Sequence, residues 1–296
     1  MNKSHLTEQQ LLQNEEDLFS ANTTIFHGLQ QYWTPEKLAR WLYDVVVDLY
    51  KKENVQHTLV CDLTAGAGNL LQPYTHTCGV EVDKTVIKSG KNIVNADLVK
   101  FYSYLQQGGI QFDIMALNPP YAEYWPRKVF VSDALEGEKI ESQIATILAA
   151  SSLLNYNSLG YAVVSAKILE KLQREVSGIL AVLTVDGVFK PHSDVLVGIV
   201  WFCNPSSFYY DQDQECYDFG VYTLETLPDI QEIVQVLRKR TRSLYAYDGT
   251  AARQIEEFKK VYKLYREDQR KTKWTYNLEV QARQVRLSFN NFQRNI

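Results

Sequence analysis

The chain has 296 residues, 45% hydrophobic and 22% charged, an ordinary balance for a globular protein with a sizeable core. No apolar run approaches the roughly 20 residues of a membrane helix, and the N-terminal stretch MNKSHLTEQQLLQNEEDL lacks the apolar region of a secretory signal. Four scattered cysteines (Cys61, Cys78, Cys203, Cys216) form no Cys-x-x-Cys pair, which disfavours disulfide-framed and zinc-ribbon classes and points to reduced thiols in a cytoplasmic protein. The formal charge of −4 is uneven: from Val236 onward there are 15 basic against 6 acidic residues, and before it 16 against 29. A basic end on an acidic body is either a footprint for a polyanion or a solvated helical face.

Residues 1–27 read as a polar helical segment. Leu38, Trp41, Leu42, Val45 and Leu49 then recur at helical spacing, and Thr34 as N-cap with Pro35 in the first turn would start that helix. Six short apolar runs follow as buried strands: 58–63, 78–82, 112–117, 161–166, 179–184 and 195–202. Helical stretches separate them, for example 141–154 with Ile144, Ile147 and Leu148 on one side. Strand and helix in alternation predict a mainly parallel sheet covered on both faces. Asn204-Pro205 marks the end of the sheet. Residues 206–226 read as a short hairpin, and the remainder is mostly helical and basic. The chain thus divides into a helical segment at 1–27, a main domain at 28–204 and a small basic C-terminal region at 205–296 that suits a polyanion or a partner.

VCDLTAGAGNLL is a strand running into a tight turn with Gly66 and Gly68, where the backbone can approach a ligand without a Cβ in the way. The third glycine of the dinucleotide fingerprint is missing. The next strand ends in GVEVD, which puts Glu81 where a carboxylate can take both hydroxyls of a ribose. Asp97 follows about one unit later. A glycine turn and two acids on successive strand ends suit an adenosine laid across the sheet edge. FDIMALNPPY is a buried run ending in Asn118-Pro119-Pro120-Tyr121. Two prolines make the chain leave the sheet in a stiff extended turn. That turn offers the Asn118 side chain and the Pro119 carbonyl as acceptors beside an exposed aromatic face, which suits a planar substrate bearing an amino group.

In this order of motifs the sequence resembles the S-adenosylmethionine-dependent adenine-N6 DNA methyltransferases of the gamma motif order, over about residues 28–204. The resemblance implies a seven-stranded Rossmann-like methyltransferase sheet with helices on both faces and a small helical C-terminal appendage. It implies that Tyr32 and Thr34, in Tyr32-Trp33-Thr34-Pro35, and the turn from Asp62 through Ala65, Gly66 and Gly68 hold the methionine end of S-adenosylmethionine. Glu81 would hold the ribose and Asp97 the adenine of the cofactor. Asn118, Pro119, Pro120 and Tyr121 would form the catalytic motif, with Asn118 also beside the cofactor. GVFKPHSDVLVGIVWF looks like the family's turn with a stacking aromatic, nominating Phe189 with Tyr121 as the two faces against a flipped base.

An exocyclic adenine nitrogen shares its lone pair with the ring. Acceptors on its two hydrogens free that lone pair for in-line attack, and neither a metal nor a strong base is needed. Three other readings share parts of the signature: an RNA adenine methyltransferase, a protein glutamine methyltransferase, and a non-catalytic methyltransferase-like subunit for DNA binding or assembly. The helix beginning at Tyr32 favours DNA, and the intact Asn118 and glycine turn favour an enzyme. About 92 residues after the sheet are few for target recognition. Basic residues there (Arg238, Lys239, Arg240, Arg242, Lys259, Lys260, Lys263 and the stretch from Lys271 to Trp274) suit phosphate contact. A separate specificity subunit, as in multisubunit restriction-modification systems, is the competing source. Tyr262, Tyr265 and Trp274 read as helix-packing aromatics and His192 as a loop residue. No nuclease or metal motif appears, and no membrane association is expected.

Overall fold

The computed structural model describes residues 26–27, 31–87, 91–190, 193–206, 215–241 and 250–293, without side chains at 26–27, 31–32, 157 and 273–293. The helical segment expected before residue 26, the side chain of Tyr32, Arg242, the Trp274 side chain and the Pro191-His192 turn lie outside the described residues.

Two short strands, β1 (Phe26–His27) and β2 (Gln31–Tyr32), pair antiparallel ahead of helix α1 (Glu36–Tyr50) and the short α2 (Lys52–Val55). The main sheet begins with β3 (Leu59–Asp62), β4 (His76–Glu81) and β5 (Asn92–Asn95), then α3 (Leu98–Gln107) and β6 (Phe112–Leu117). A two-stranded unit, β7 (Tyr124–Pro126) and β8 (Lys139–Glu141), separates β6 from α4 (Ser142–Leu153). The sheet resumes with β9 (Leu154–Ser165), α5 (Leu169–Glu175), β10 (Ile179–Asp186) and β11 (Val197–Cys203). It closes with β12 (Tyr217–Thr223), followed by α6 (Ile230–Arg240) and α7 (Ala251–Gln293).

The strand order is β12-β10-β11-β9-β6-β3-β4-β5. Strands β3, β4, β5, β6 and β9 run parallel, and β11 is antiparallel to both β9 and β10. Among the described residues the sheet therefore has eight strands rather than the seven implied by the resemblance. The extra one is β12, which pairs parallel to β10 at the edge. The expected hairpin over 206–226 is thus replaced, among the described residues, by a single strand. Its alternating pattern announces a strand but carries no information about the partner.

Side chains alternate across the sheet because successive Cβ atoms point to opposite faces. On β6, Ile114 and Ala116 join Leu38, Leu42 and Val45 of α1, whereas Met115 and Leu117 join Phe101 and Leu105 of α3. The α1 face is completed by Ile233, Val234 and Leu237 of α6, and the α3 face by Ile144 and Ile147 of α4 and Phe258 and Val261 of α7. The elements after Asn204 thus share both cores of the sheet. Tyr262 and Tyr265 of α7 pack their rings on Phe101 at 6.0 and 5.1 Å, as expected of packing aromatics. Helix α1 starts one residue later than its sequence suggests. Pro35 is the N-cap, with an extended ψ of 145°, while the Thr34 carbonyl turns away to accept from Asn69 Nδ2 at 3.2 Å. No helix among the described residues is long and apolar enough to cross a membrane.

Candidate active site

A cavity of about 340 Å³ opens at the carboxyl ends of β3, β4 and β6, within the size range of small-molecule sites. Its wall takes in Thr34, Asp62, Ala65, Gly66, Glu81, Asp97, Asn118, Pro119 and Pro120. Residues from five separate segments, nominated one by one from the sequence, therefore meet in one place. Gly68 lies just behind the wall in the same turn.

The turn after β3 is fixed by its backbone. Ala65 N–H donates to the Val80 carbonyl at 2.8 Å, and Gly68 N–H to the Ala65 carbonyl at 2.8 Å. Gly66 and Gly68 have φ of 52° and 84°, the left-handed region that side chains disfavour. Glu81, buried at the tip of β4, is the clamp. Its Oε2 accepts from Gly66 N–H at 2.7 Å and its Oε1 from Asp83 N–H at 2.7 Å. A carboxylate has about four lone-pair sites, so both oxygens keep capacity for a ligand's hydroxyls. Asp97 caps α3, accepting from Val99 N–H at 3.0 Å, with Lys100 Nζ at 3.6 Å from its other oxygen.

Asp62 accepts from Thr64 N–H at 2.8 Å. Burial first, then the neighbouring Glu81 charge, pushes its carboxyl up to about 8, against the hydrogen bonds from Thr64. Burial raises Glu81 as well. A raised folded-state value means that Asp62 keeps its proton in the fold where the unfolded chain has lost it. Its stabilising contribution is complete below the ordinary carboxylate value and is lost as pH rises from about 4 to about 8. Asp62→Asn, which stays neutral throughout, should accordingly gain on the parent by a few degrees in melting temperature across that window. Paired thermal melts at pH 5 and pH 8.5 check this. A constant difference would contradict it.

Trp33, Asn69, Glu123 and Trp125 are among the wall residues that carry no assignment from the sequence. The Trp33 ring lies against Gly66, where an added Cβ would sit 3.7 Å from Nε1. Trp125 donates from its indole nitrogen to Glu123 Oε2 at 3.2 Å and stacks on Phe130 at 5.9 Å and 28°. Phe130 in turn meets Tyr102 of α3 at 5.3 Å. The β7–β8 unit carrying Trp125 is tied to α5 through Arg127–Glu175 at 2.9 Å and Lys171–Glu141 at 3.0 Å. Among the described residues of the wall the ionisable side chains are all acidic: Asp62, Glu81, Asp97 and Glu123.

Tyr121 and Phe189 are placed differently from expectation. Neither lines the cavity. Tyr121 is only 6% exposed, and its hydroxyl donates to the Val163 carbonyl at 3.4 Å. Phe189 is fully buried and meets Tyr121 edge-to-face at 6.0 Å. In place of the exposed aromatic face expected at the Asn-Pro-Pro-Tyr turn, a buried ring pair stands behind it. Ala122, the next residue, has φ 57°, a left-handed conformation that costs an alanine about 1–2 kcal/mol.

The donor set fits a nucleoside with a charged tail. Thr34 is 2% exposed, and among the described residues its Oγ1 and the Oδ1 of Asn69 are buried without a hydrogen-bond partner. Buried polar atoms of this kind are ordinarily satisfied, so both are ready for ligand polar groups. No group of three or more His, Cys, Asp or Glu among the described residues is arranged to hold a metal ion.

The sequence matches no protein-family profile and no curated protein. Among solved structures it is similar to one from Listeria monocytogenes assigned to the class I S-adenosylmethionine-dependent methyltransferases, at 11% identity and a TM-score of 0.54 over 81% of this chain and 80% of that one. It is also similar to the methyltransferase subunit of a type I restriction-modification system from Streptococcus thermophilus, at 16% identity and a TM-score of 0.55, over 81% of this chain and 60% of that one. The architecture of this chain is thus the fold of the class I S-adenosylmethionine-dependent methyltransferases.

Proposed function

We infer that this protein transfers a methyl group from S-adenosylmethionine to the N6 amino group of an adenine flipped out of DNA. The observation that carries the reading is the shared wall of one cavity: Asn118, Pro119 and Pro120 stand in it with the glycine turn, Glu81 and Asp97. S-adenosylmethionine supplies an electrophilic sulfonium methyl. Thr34, Asn69 and the turn from Asp62 to Gly68 bind the amino-acid end, Glu81 the ribose and Asp97 the purine edge. Asp97 and Glu123, with Glu81 beside them and no basic residue among the described residues of the wall, favour a cationic ligand.

Asn118 Oδ1 and the Pro119 carbonyl accept the two hydrogens of the substrate amine, which localises the nitrogen lone pair and stabilises the positive charge developing there. Tyr121 and Phe189 stand directly behind this turn. For them to sandwich a base, Tyr121 must give up its bond to Val163, so base entry and opening of that ring pair go together. DNA is favoured over RNA and protein by the motif order beginning at Tyr32.

The basic C-terminal residues favour a second polypeptide as the reader of target sequence. Arg238 donates to the Asp48 carbonyl at 2.8 Å, and Arg240 to the Glu215 carbonyl. Lys259, Lys260 and Lys271 pair with Glu256, Glu257 and Asp268 on their own helix. Charges already engaged within the chain make a weak phosphate footprint. The neighbour from Streptococcus thermophilus, a methyltransferase subunit by description, supports the same division of labour.

The cofactor half of the reading is tested by titration with S-adenosylhomocysteine. Binding should quench indole fluorescence through Trp33 and Trp125. Trp125→Phe should lose a large part of the quench, and Trp125→Ala should weaken affinity about 3–10-fold, the scale of one aromatic contact. An undiminished quench in Trp125→Phe would remove Trp125 from the site.

A further inference from the structure

The turn after β6 holds a conformation that its own sequence does not favour. Ala122 and Lys51 are the two non-glycine residues with positive φ among those described. An alanine left to itself leaves this region, because its Cβ crowds the neighbouring carbonyl. Ser142, the first residue of α4 and fully buried, grips the chain on both sides of Ala122. Its Oγ donates to the Pro120 carbonyl at 2.7 Å, and its N–H donates to the Glu123 carbonyl at 3.0 Å. The Ser142 carbonyl accepts from Thr146 Oγ1 at 2.8 Å, which roots this strut in the first turn of a buried helix.

The Pro120 carbonyl already accepts from Ser142, and the Pro119 carbonyl is the acceptor assigned to work with Asn118. We propose that Ser142 is a positioning residue: by clamping Pro120 and Glu123 it keeps Ala122 left-handed and holds Asn118 and the Pro119 carbonyl in the cavity wall. This rests on the amino-methyltransferase reading of the cavity. Without the Ser142 hydroxyl the Pro120 half of the clamp is lost and only the backbone bond to Glu123 remains. Ala122 then relaxes and the acceptors shift, and a displacement near 1 Å at a reacting centre costs on the order of 10²-fold in rate.

The strain supplies a test that a merely structural serine would not pass. Glycine is at ease where alanine is strained, so a turn with glycine in place of Ala122 has little reason to relax when the Ser142 hydroxyl is removed. Ser142→Ala should lower turnover about 10–100-fold, with affinity for S-adenosylhomocysteine by calorimetry within about threefold. Ala122→Gly alone should stay within about threefold of the parent. The double variant should regain at least about fivefold over Ser142→Ala, a non-additivity that reports direct coupling.

Amide hydrogen exchange needs no substrate. In Ser142→Ala it should quicken at least about tenfold at the amide of residue 142, the donor to the Glu123 carbonyl, and stay unchanged at 65–68, because local opening follows local bonds. If the parent binds S-adenosylhomocysteine but methylates nothing offered to it, a target-reading subunit is missing. If it does not bind, the amino-methyltransferase reading fails. In both cases the exchange pattern decides whether Ser142 holds the turn. Parental turnover in Ser142→Ala, no recovery in the double variant, or unchanged exchange at the residue-142 amide would each overturn the proposal.

Discussion

Replacing Asn118 by alanine should lower methyl transfer by about 10²–10³-fold or more, the cost of removing one preorganised group from a developing charge. Affinity for S-adenosylhomocysteine should stay within a few-fold. Both expectations follow from where Asn118 stands. It lies in the same cavity wall as the turn and the acids assigned to the cofactor, but on a different strand, at the carboxyl end of β6. The amine it serves is a poor nucleophile, because its lone pair is delocalised into the ring. With one acceptor gone the nitrogen stays planar and the lone pair stays in the ring. Asn118→Asp keeps an acceptor oxygen at the same place and should retain more activity than the alanine variant. Single-turnover transfer with saturating cofactor separates the chemical step from binding. An alanine variant with near-parental turnover would remove Asn118 from the reaction.

The second large effect is expected at Glu81. In Glu81→Gln the shape is kept, but one oxygen becomes an amino group that cannot accept from Gly66 N–H or Asp83 N–H, both at 2.7 Å in the parent. The glycine turn loses part of its clamp and the ribose loses a charged partner. Hydrogen bonds to charged groups contribute about 1.5–3 kcal/mol each, so affinity for S-adenosylhomocysteine should fall by about 10²-fold. Transfer at saturating cofactor should fall far less. Calorimetry on the two proteins reads this directly, and a change below about fivefold would mean that Glu81 is a turn residue alone.

The two variants fail in opposite ways, one in chemistry and one in binding, because the residues belong to different strands of one sheet. That separation is legible in the amino-acid pattern itself. The runs around β3, β6, β10 and β11 are continuous and apolar, and each forms within two or three residues of its expected place. The chemistry-bearing residues sit at the ends of those runs, so locating the strands locates the site. Strand β5 carries no such signal: Asn-Ile-Val-Asn is half polar, and parallel pairing with β4 holds it in place. Strand β12, interrupted by Gly220, is visible as a strand while its partner is not.

Within the site, what escapes the sequence is what depends on approach from a distance. Trp33 stands next to Thr34 in the chain, yet its role comes from facing Gly66. Trp125 follows the Asn-Pro-Pro-Tyr turn by four residues, and an aromatic so close to that turn is a usable signal. Tyr121 reads as an exposed ring because it follows two prolines at a strand end. Instead the chain turns at left-handed Ala122 and carries the ring inward against Phe189, a reversal that no periodicity encodes.

Methyl transfer from labelled S-adenosylmethionine to mixed-sequence duplex DNA decides whether the cavity methylates adenine. RNA and total protein are assayed in parallel, and all products are digested to the methylated unit. Label is expected in N6-methyladenine from DNA, and none from the Asn118→Ala protein. Label in RNA or in a glutamine side chain with the DNA unlabelled would contradict a DNA adenine methyltransferase.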